Sequence, residues 1–283
     1  MSNVAIVTDS TSTIPAEMLN KYNITVAPQV VIWGEQVMRD GIDIHPTAFY
    51  ERLASDPVQP TTSQCTIATF KDIYMDLQRK GHSEILCILI SSKLSGTISS
   101  AQQAIDLVPG IKVEIVDSLS AAMGLGFQVL EAAKLASQGA GMADCKAKAE
   151  LAGPATGVML TPETLEYLHR GGRIGGGAKF LATALNIKPV LKLEHGRLEA
   201  VERVRTRRKV ISRIAELAAE QIGGKTPVRI SALHANSRAD AELLLEETAK
   251  LTNPIEKFVT EVSPAIGVHT GPGTIGITFI AGM

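Results

Sequence analysis

Short apolar runs rich in β-branched residues alternate with longer segments of helical periodicity through the first half of the chain. Strands are predicted at residues 4–8, 84–90 and 112–117, with a second extended stretch at 24–31. The segments between them favour helices at residues 15–22, 46–55, 67–80, 97–106 and 120–138. Such alternation indicates a mostly parallel sheet with helices on its faces, where ligands bind beyond the carboxyl ends of the strands.

The rhythm changes after a stretch at residues 152–157 that contains glycine and proline. Two strands are predicted to flank a His195-Gly196 turn, at 189–193 and 198–205. Further strands are predicted at 228–234, 255–260 and 274–280, and helices at 161–170, 177–185, 208–222 and 239–252. The predicted fold class is therefore α/β with two domains: residues 1–153 with a mostly parallel sheet and flanking helices, and residues 154–283 with a mixed or antiparallel sheet.

Charge balance argues against a polyanionic partner. The 283 residues contain 28 Lys and Arg against 29 Asp and Glu, a formal net charge of -1, so no overall field attracts nucleic acid or anionic membranes. We therefore predict no nucleic-acid partner. A basic concentration at Arg203, Arg205, Arg207, Arg208 and Lys209 keeps a nucleic-acid-linked regulator open as an alternative.

The cysteines and the apolar runs indicate a cytoplasmic protein. Cys65, Cys87 and Cys145 are an odd number and form no CxxC pair, which is typical of a reducing compartment. The first residues lack the basic n-region of a signal peptide, and no run of 18 apolar residues indicates a transmembrane segment.

Two glycine-rich segments resemble nucleotide-binding motifs without meeting their requirements. Residues 271–276 satisfy G-x-G-x-x-G, but a strand-like segment follows where a helix is needed. Residues 171–180 lack the Lys and Ser or Thr that complete a phosphate loop. The histidines and thiols form no metal-ligand pattern. We therefore predict neither a nucleotide cofactor nor a metal.

Polar segments occur where predicted elements end: TDST at 8–11, PTTSQ at 60–64, SSKLSGT at 91–97 and HTGPG at 269–273. Hydroxyls and backbone N–H groups at a helix N-terminus can hold an anion. The same residues also serve as helix caps and turns. Both interpretations remain open from the residues alone.

Taken in order with DSLSAAMGLG at 117–126, LEYLHRGGRI at 165–174 and HTGPGTIG at 269–276, these motifs resemble the DegV family of bacterial lipid-binding proteins. The resemblance covers essentially the whole chain. It implies one long-chain fatty acid held in a tunnel between the two domains. It also implies a role as the lipid-binding subunit of a fatty acid kinase, whose separate ATP-binding subunit phosphorylates the carboxylate to give an acyl phosphate for phospholipid synthesis.

The resemblance also assigns residues, by match to its motifs. The fatty-acid carboxylate contacts would fall on Thr62, Ser95 and His269. Kinase docking or phosphotransfer would fall on Arg173, with Arg170 as the weaker candidate. The supporting loop residues would be Ser63, Gly96, Thr97 and Gly271. It implies no catalytic residue, no cofactor and no metal in this chain, so that the protein alone would bind its ligand without turning it over.

The chemistry of these side chains agrees with the assignment. A carboxylate in an apolar cleft must be hydrogen-bonded, and two hydroxyls with an imidazole N–H can satisfy it. Neutral donors would leave its oxygens nucleophilic, whereas a protonated His269 would stabilise the anion and weaken its attack on phosphate; the sequence leaves both states open. The small-residue run at 121–126 suits either an acyl chain or tight helix packing. The alternative function is a self-sufficient α/β hydrolase-type enzyme that uses Ser95 and His269.

Overall fold

The alternation of strands and helices is realised in a computed structural model, which describes residues 4–180 and 187–283. The first half of the chain contains β1 (Val4–Asp9), α1 (Ala16–Lys21), β2 (Thr25–Ala27), β3 (Val30–Trp33), β4 (Gln36–Arg39), α2 (Pro46–Ser55), β5 (Thr61–Ser63), α3 (Ile67–Arg79), β6 (Glu84–Leu89), α4 (Thr97–Ile105), β7 (Lys112–Asp117), α5 (Ala122–Ser137) and α6 (Met142–Ala152). The second half contains β8 (Thr156–Thr161), α7 (Glu166–Arg170), β9 (Lys188–Glu194), β10 (Arg197–Val204), α8 (Arg207–Ile222), β11 (Val228–His234), α9 (Arg238–Thr252), β12 (Glu256–Glu261), α10 (Pro264–Thr270) and β13 (Ile275–Ala281).

The predicted parallel sheet is present, with strand order β2-β1-β6-β7 and parallel pairing throughout. Its central strands are almost wholly buried because helices cover both faces, as their continuous apolar runs require. The extended stretch predicted at 24–31 is two strands: β2 joins this sheet, and β3 joins a small antiparallel sheet ordered β4-β3-β5. The break falls at Pro28, which has no backbone N–H for a ladder.

The second half builds a six-stranded sheet ordered β10-β9-β8-β13-β11-β12. Its pairings are antiparallel except for β11 with β12, so the predicted mixed sheet is confirmed. The helix predicted at 161–170 is wrong in its first part: β8 ends at Thr161, and α7 covers only Glu166–Arg170. Of the helix predicted at 177–185, the structure describes a 3-10 turn, Gly175–Phe180; residues 181–185 lie outside the described part.

Helix α5 lies between the parallel sheet and the six-stranded sheet, and most of its residues are buried. A Cβ on Gly124 would lie 2.4 Å from Val158 Cγ2 of β8, and one on Gly126 would lie 2.8 Å from the Ser12 carbonyl oxygen. Residues two apart point about 200° away from each other around a helix. The two glycines therefore let α5 approach both sheets closely, so they serve tight packing.

A buried ion pair crosses the same layer. Glu131 of α5 accepts a hydrogen bond from Arg229 of β11, with side chains only 8% and 6% exposed. Lys134 and Lys148 also pair with Glu131, and the Arg229 guanidinium lies over the Phe127 ring.

Within the described residues, no helix combines the length and apolarity that crossing a membrane requires.

Replacement of Glu131 by Gln is expected to lower the free energy of unfolding by about 3 kcal/mol, because it leaves a buried guanidinium without its counter-charge. Chemical denaturation at pH 7 measures this loss. Glu114→Gln is the matched control: Glu114 also pairs with two lysines, Lys112 and Lys146, but is 29% exposed. We expect the control to lose less than about 1 kcal/mol, and equal losses would contradict a dominant effect of burial.

Candidate functional site

A cavity lies beside the carboxyl ends of the parallel strands β1 and β6 and extends to the six-stranded sheet. It contains about 1090 Å³ of empty space, including the part that opens to solvent. Its walls are mainly aliphatic, with Ile90, Leu94, Ala121, Ala122, Val158, Leu160, Leu168, Leu193, Leu198, Leu233, Val262, Ala265 and Ile266 among them. A few polar groups in an otherwise apolar wall are typical of a site for a small molecule with a long apolar part.

Strand β5 presents the first polar group. Thr62 pairs with Val31 of β3 and is half-buried, whereas its neighbours Thr61 and Ser63 are exposed. Alternate residues of a strand point to opposite faces, which places the Thr62 hydroxyl on the inner side. Ser63 and Gln64 also line the cavity.

Ser95 lies on the loop between β6 and α4 and lines the same cavity. Its Oγ is 2.8 Å from Thr97 Oγ1 and accepts a weaker hydrogen bond from the Thr97 N–H at 3.3 Å. Gly96 packs against the side chain of Gln64, the residue after strand β5, since a Cβ there would lie 2.8 Å from Gln64 Oε1. Gly96 and Thr97 therefore support Ser95 from behind and are not part of the cavity wall.

His269 lies in the last turn of helix α10, so the HTGPG segment, for which the sequence predicted no helix, begins inside one. Pro264 begins this helix and Gly271 ends it with a φ of 73°. Only glycine fits at position 271, because a Cβ would also lie 2.3 Å from the Tyr167 ring. The sequence does not predict this helix, because it has only seven residues, begins at a proline and is followed by a glycine.

The structure brings His269 and Thr62 together: Nε2 of the ring is 2.7 Å from Thr62 Oγ1. Burial lowers the pKa of His269 to about 4, and the nearby charge of Arg173 contributes in the same direction. The imidazole is therefore neutral at pH 7 and carries one N–H.

The location of that proton follows from the other side of the ring. Nδ1 of His269 is buried and has no hydrogen-bond partner among the described residues. The Gly171 backbone covers it so closely that a Cβ at Gly171 would lie 2.1 Å from Nδ1. A buried N–H without an acceptor is rarer and costlier than a lone pair packed against C–H groups. The proton therefore belongs on Nε2, which donates to Thr62 Oγ1 and leaves the Thr62 hydroxyl proton for a ligand.

The two candidate arginines differ in position. Arg173 lines the cavity, and its guanidinium donates from Nε to the Leu94 carbonyl at 3.1 Å and from Nη1 to the Gly171 carbonyl at 2.8 Å. Arg170 lies outside the cavity wall, where it donates to Gln59 Oε1 and covers the Tyr167 ring. The structure thus groups Arg173 with Thr62, Ser95 and His269, and leaves Arg170 on the neighbouring surface.

Sequence reasoning assigned no role to five polar residues of the wall: Thr11, Gln29, Gln64, Thr270 and Thr274. Thr11 belongs to the TDST segment, and its hydroxyl donates to Asp9 Oδ1. Gln29 is 3% exposed and follows Pro28, where the extended stretch breaks. A polar residue within an apolar run was the signal that could have identified it.

The geometry does not support a Ser95–His269 nucleophile pair. In the part of the chain that the structure describes, no hydrogen bond joins the two side chains, and Nε2 of His269 is engaged by Thr62. No carboxylate orients Nδ1 there either, because that atom has no partner. The described residues also contain no group of three or more His, Cys, Asp and Glu placed to hold a metal ion.

Two residues of the basic concentration at 203–209 are paired with acids. Arg207 lies 2.8 Å from Asp240, and Arg208 lies 3.0 Å from Glu247. Arg203 donates to the Lys179 carbonyl. These contacts reduce the positive charge that a nucleic-acid backbone would meet.

Comparisons with known proteins agree with the fold and the motifs. The model of the DegV family matches residues 3–282. A DegV domain-containing protein of Streptomyces coelicolor is 36% identical over 277 residues, which is 97% of each chain. A DegV family protein of Thermus thermophilus, described for its fatty acid binding, is 34% identical with a TM-score of 0.91, over 98% of this chain and 99% of that one. DegV of Bacillus subtilis, described as a fatty acid binding protein, is 33% identical with a TM-score of 0.91, over 99% of this chain and 100% of that one. The chain therefore belongs to the DegV family.

Proposed function

We propose that the protein binds one long-chain fatty acid in this cavity, between an N-terminal domain of residues 1–153 and a C-terminal domain of residues 154–283. The observation that carries the proposal is a neutral Thr62–His269 pair at the polar wall of an otherwise aliphatic cavity. The fatty acid binding described for the relatives from Thermus thermophilus and Bacillus subtilis supports it. The carboxylate accepts hydrogen bonds from the Thr62 and Ser95 hydroxyls, while His269 Nε2 donates to Thr62 Oγ1 and so leaves the Thr62 proton for the carboxylate.

The free energies of burial and association are consistent with a fatty acid that stays bound during purification. About 15 buried methylenes at roughly 0.8 kcal/mol each contribute about 12 kcal/mol. Association costs about 4 to 15 kcal/mol, so the apolar chain alone does not guarantee tight binding. The head-group hydrogen bonds therefore decide the affinity, since each bond to a charged group contributes about 1.5 to 3 kcal/mol.

We further propose that the bound carboxylate is presented to a separate ATP-dependent kinase subunit in the cytoplasm. Neutral donors leave electron density on the carboxylate, so one of its oxygens can attack the γ-phosphorus of ATP. The bond from that phosphorus to the bridging oxygen breaks, giving an acyl phosphate and ADP. The partner supplies the nucleotide, and the acyl phosphate supplies phospholipid synthesis. Arg173, exposed at the cavity beside His269, is the cation placed to meet the transferred phosphoryl group.

Ser95→Ala is expected to weaken binding of palmitate by about 10- to 100-fold, because it removes one donor to a charged head group. Calorimetry on delipidated protein measures the affinity, and mass spectrometry of an organic extract measures the fatty acid retained during purification. Ser92→Ala is the matched control, since Ser92 lies exposed on the same loop outside the cavity wall. Equal palmitate binding by Ser95→Ala and the control would refute the assigned head-group site.

Replacement of His269 by Gln is expected to remove part of the acid sensitivity of the fold. The pKa of His269 is about 4 in the folded protein and 6.5 without burial, so the unfolded chain binds more protons between these values. Wild type should therefore lose up to about 2 kcal/mol relative to His269→Gln between pH 7 and pH 5.

Denaturant unfolding of both proteins at the two pH values measures this difference. Burial raises the pKa of Asp40 to about 6, which stabilises the fold as the pH falls, but this contribution is common to both proteins and cancels. A constant stability difference between pH 7 and pH 5 would show that the imidazole is not held neutral.

Arg173→Gln is expected to retain palmitate while lowering acyl phosphate formation by about tenfold or more, because the guanidinium stabilises charge that develops during transfer. The assay combines the loaded protein, ATP and the fatty acid kinase subunit of the same organism, with hydroxylamine to trap acyl phosphate. Arg170→Gln provides the comparison, since Arg170 lies outside the cavity wall. A larger loss for Arg170→Gln than for Arg173→Gln would reverse the assignment.

A further inference from the structure

A buried hydrogen-bond network lies behind Ser95. Thr97 Oγ1 is fully buried, 2.8 Å from Ser95 Oγ. On its other side it accepts a hydrogen bond from Gln29 Nε2 at 2.9 Å, and its hydroxyl also lies within donating distance of Gln29 Oε1, at 3.2 Å. Gln29 is itself buried, and its backbone N–H donates to Ser10 Oγ. The network therefore joins a side chain of the cavity wall to the interior of the fold.

The number of protons in this network determines which way the Ser95 hydroxyl points. Thr97 has one hydroxyl proton, and since it accepts from Gln29 Nε2 it can donate that proton to Ser95 Oγ, its closer oxygen acceptor. Ser95 Oγ also accepts from the Thr97 N–H. With both lone pairs engaged, the Ser95 hydroxyl has only its own proton left, and this proton faces the cavity.

The two polar atoms of the Gln29 amide lie at different distances from Thr97 Oγ1. Nε2 is 2.9 Å away and Oε1 is 3.2 Å away. The shorter contact is the hydrogen bond from the Gln29 NH₂ group to Thr97. This bond sets the direction of the network.

On another part of the cavity wall, the Thr62 hydroxyl is oriented in the same way, with its proton available to a ligand. Its oxygen accepts from Nε2 of the neutral His269 ring, so its hydroxyl proton is also available to a ligand. The hydroxyls of Thr62 and Ser95 thus offer two hydrogen-bond donors to a ligand, each oriented by a separate network. A head group that only accepts hydrogen bonds satisfies both, whereas an alcohol leaves its own proton without an acceptor there.

We propose that Gln29 is a specificity-determining residue, which acts through Thr97 to direct the Ser95 proton into the cavity and so selects an ionised carboxylate over an uncharged, proton-donating head group. This rests on the proposed function, because it concerns the head-group end of the same site. Thr97 lies outside the cavity wall and is a positioning residue, since it acts on the ligand through Ser95; Gln29 reaches the wall itself, and the role proposed for it is to position Thr97.

The test compares dissociation constants for palmitate and hexadecanol at pH 8, by calorimetry on delipidated full-length protein. Wild type is expected to prefer palmitate by about tenfold or more. In Gln29→Glu the new carboxylate accepts the Thr97 proton, Thr97 then accepts from Ser95, and the preference should fall by about tenfold. A purely structural role would weaken both ligands alike and leave the ratio unchanged.

Two further variants keep the test decisive if Gln29→Glu does not fold. Thr97→Val is isosteric and removes the hydroxyl, so the preference should fall, whereas Thr97→Ser retains the hydroxyl and should restore it. A ratio within twofold of wild type in Gln29→Glu and Thr97→Val would overturn the inference while leaving fatty acid binding intact. Wild type that binds neither ligand would instead overturn the proposed function, and this inference with it.

Discussion

The close packing of helix α5 between two sheets is the constraint on which the rest of the structure depends. Gly124 and Gly126 lie on opposite sides of the helix. Because neither has a side chain, the helix can approach β8 on one side and the segment after β1 on the other. The buried Glu131–Arg229 pair joins the same helix to β11. Because Ala121 and Ala122 at the N-terminal end of this helix line the cavity, the packing that unites the sheets also fixes part of the wall of the site.

The proposed head-group site depends on neutral donors carried by short elements. Strand β5, the loop after β6 and helix α10 each bring one candidate polar side chain to the cavity: Thr62, Ser95 and His269. Burial keeps the His269 ring neutral, so no cation lies against the ligand. The ring donates from Nε2 to Thr62 Oγ1, and the Thr62 hydroxyl can then donate its own proton. In the proposed function, a carboxylate held in this way keeps its nucleophilicity, and Arg173 at the exposed end of the cavity supplies the positive charge for the phosphoryl group.

Most long elements could be predicted from the sequence, whereas the eleven-residue helix α6 and several of the shortest elements were missed. The apolar runs of β6, β7 and β11 and the periodicity of α2, α3 and α8 were sufficient, because each encodes its own burial pattern. Strands β4 and β5 and helix α10 are too short to show a period, and β8 was hidden beside a glycine-rich segment. Candidate residues Thr62, Ser95, His269, Ser63 and Arg173 line one cavity, whereas Gly96, Thr97, Gly271 and Arg170 lie behind or beside it.

The sequence by itself determined the α/β class, the parallel and mixed sheets, the family and the polar motifs, because these depend on local pattern and on residue order. Only the tertiary structure decided that His269 acts through Thr62, that Gln29 stands behind Ser95 and that α5 joins both sheets. Residues 62 and 269 are 207 positions apart, and residues 29 and 97 are 68 apart. Contacts over such distances arise from the packing of whole elements, and no local period of the chain encodes which hydroxyl receives which proton.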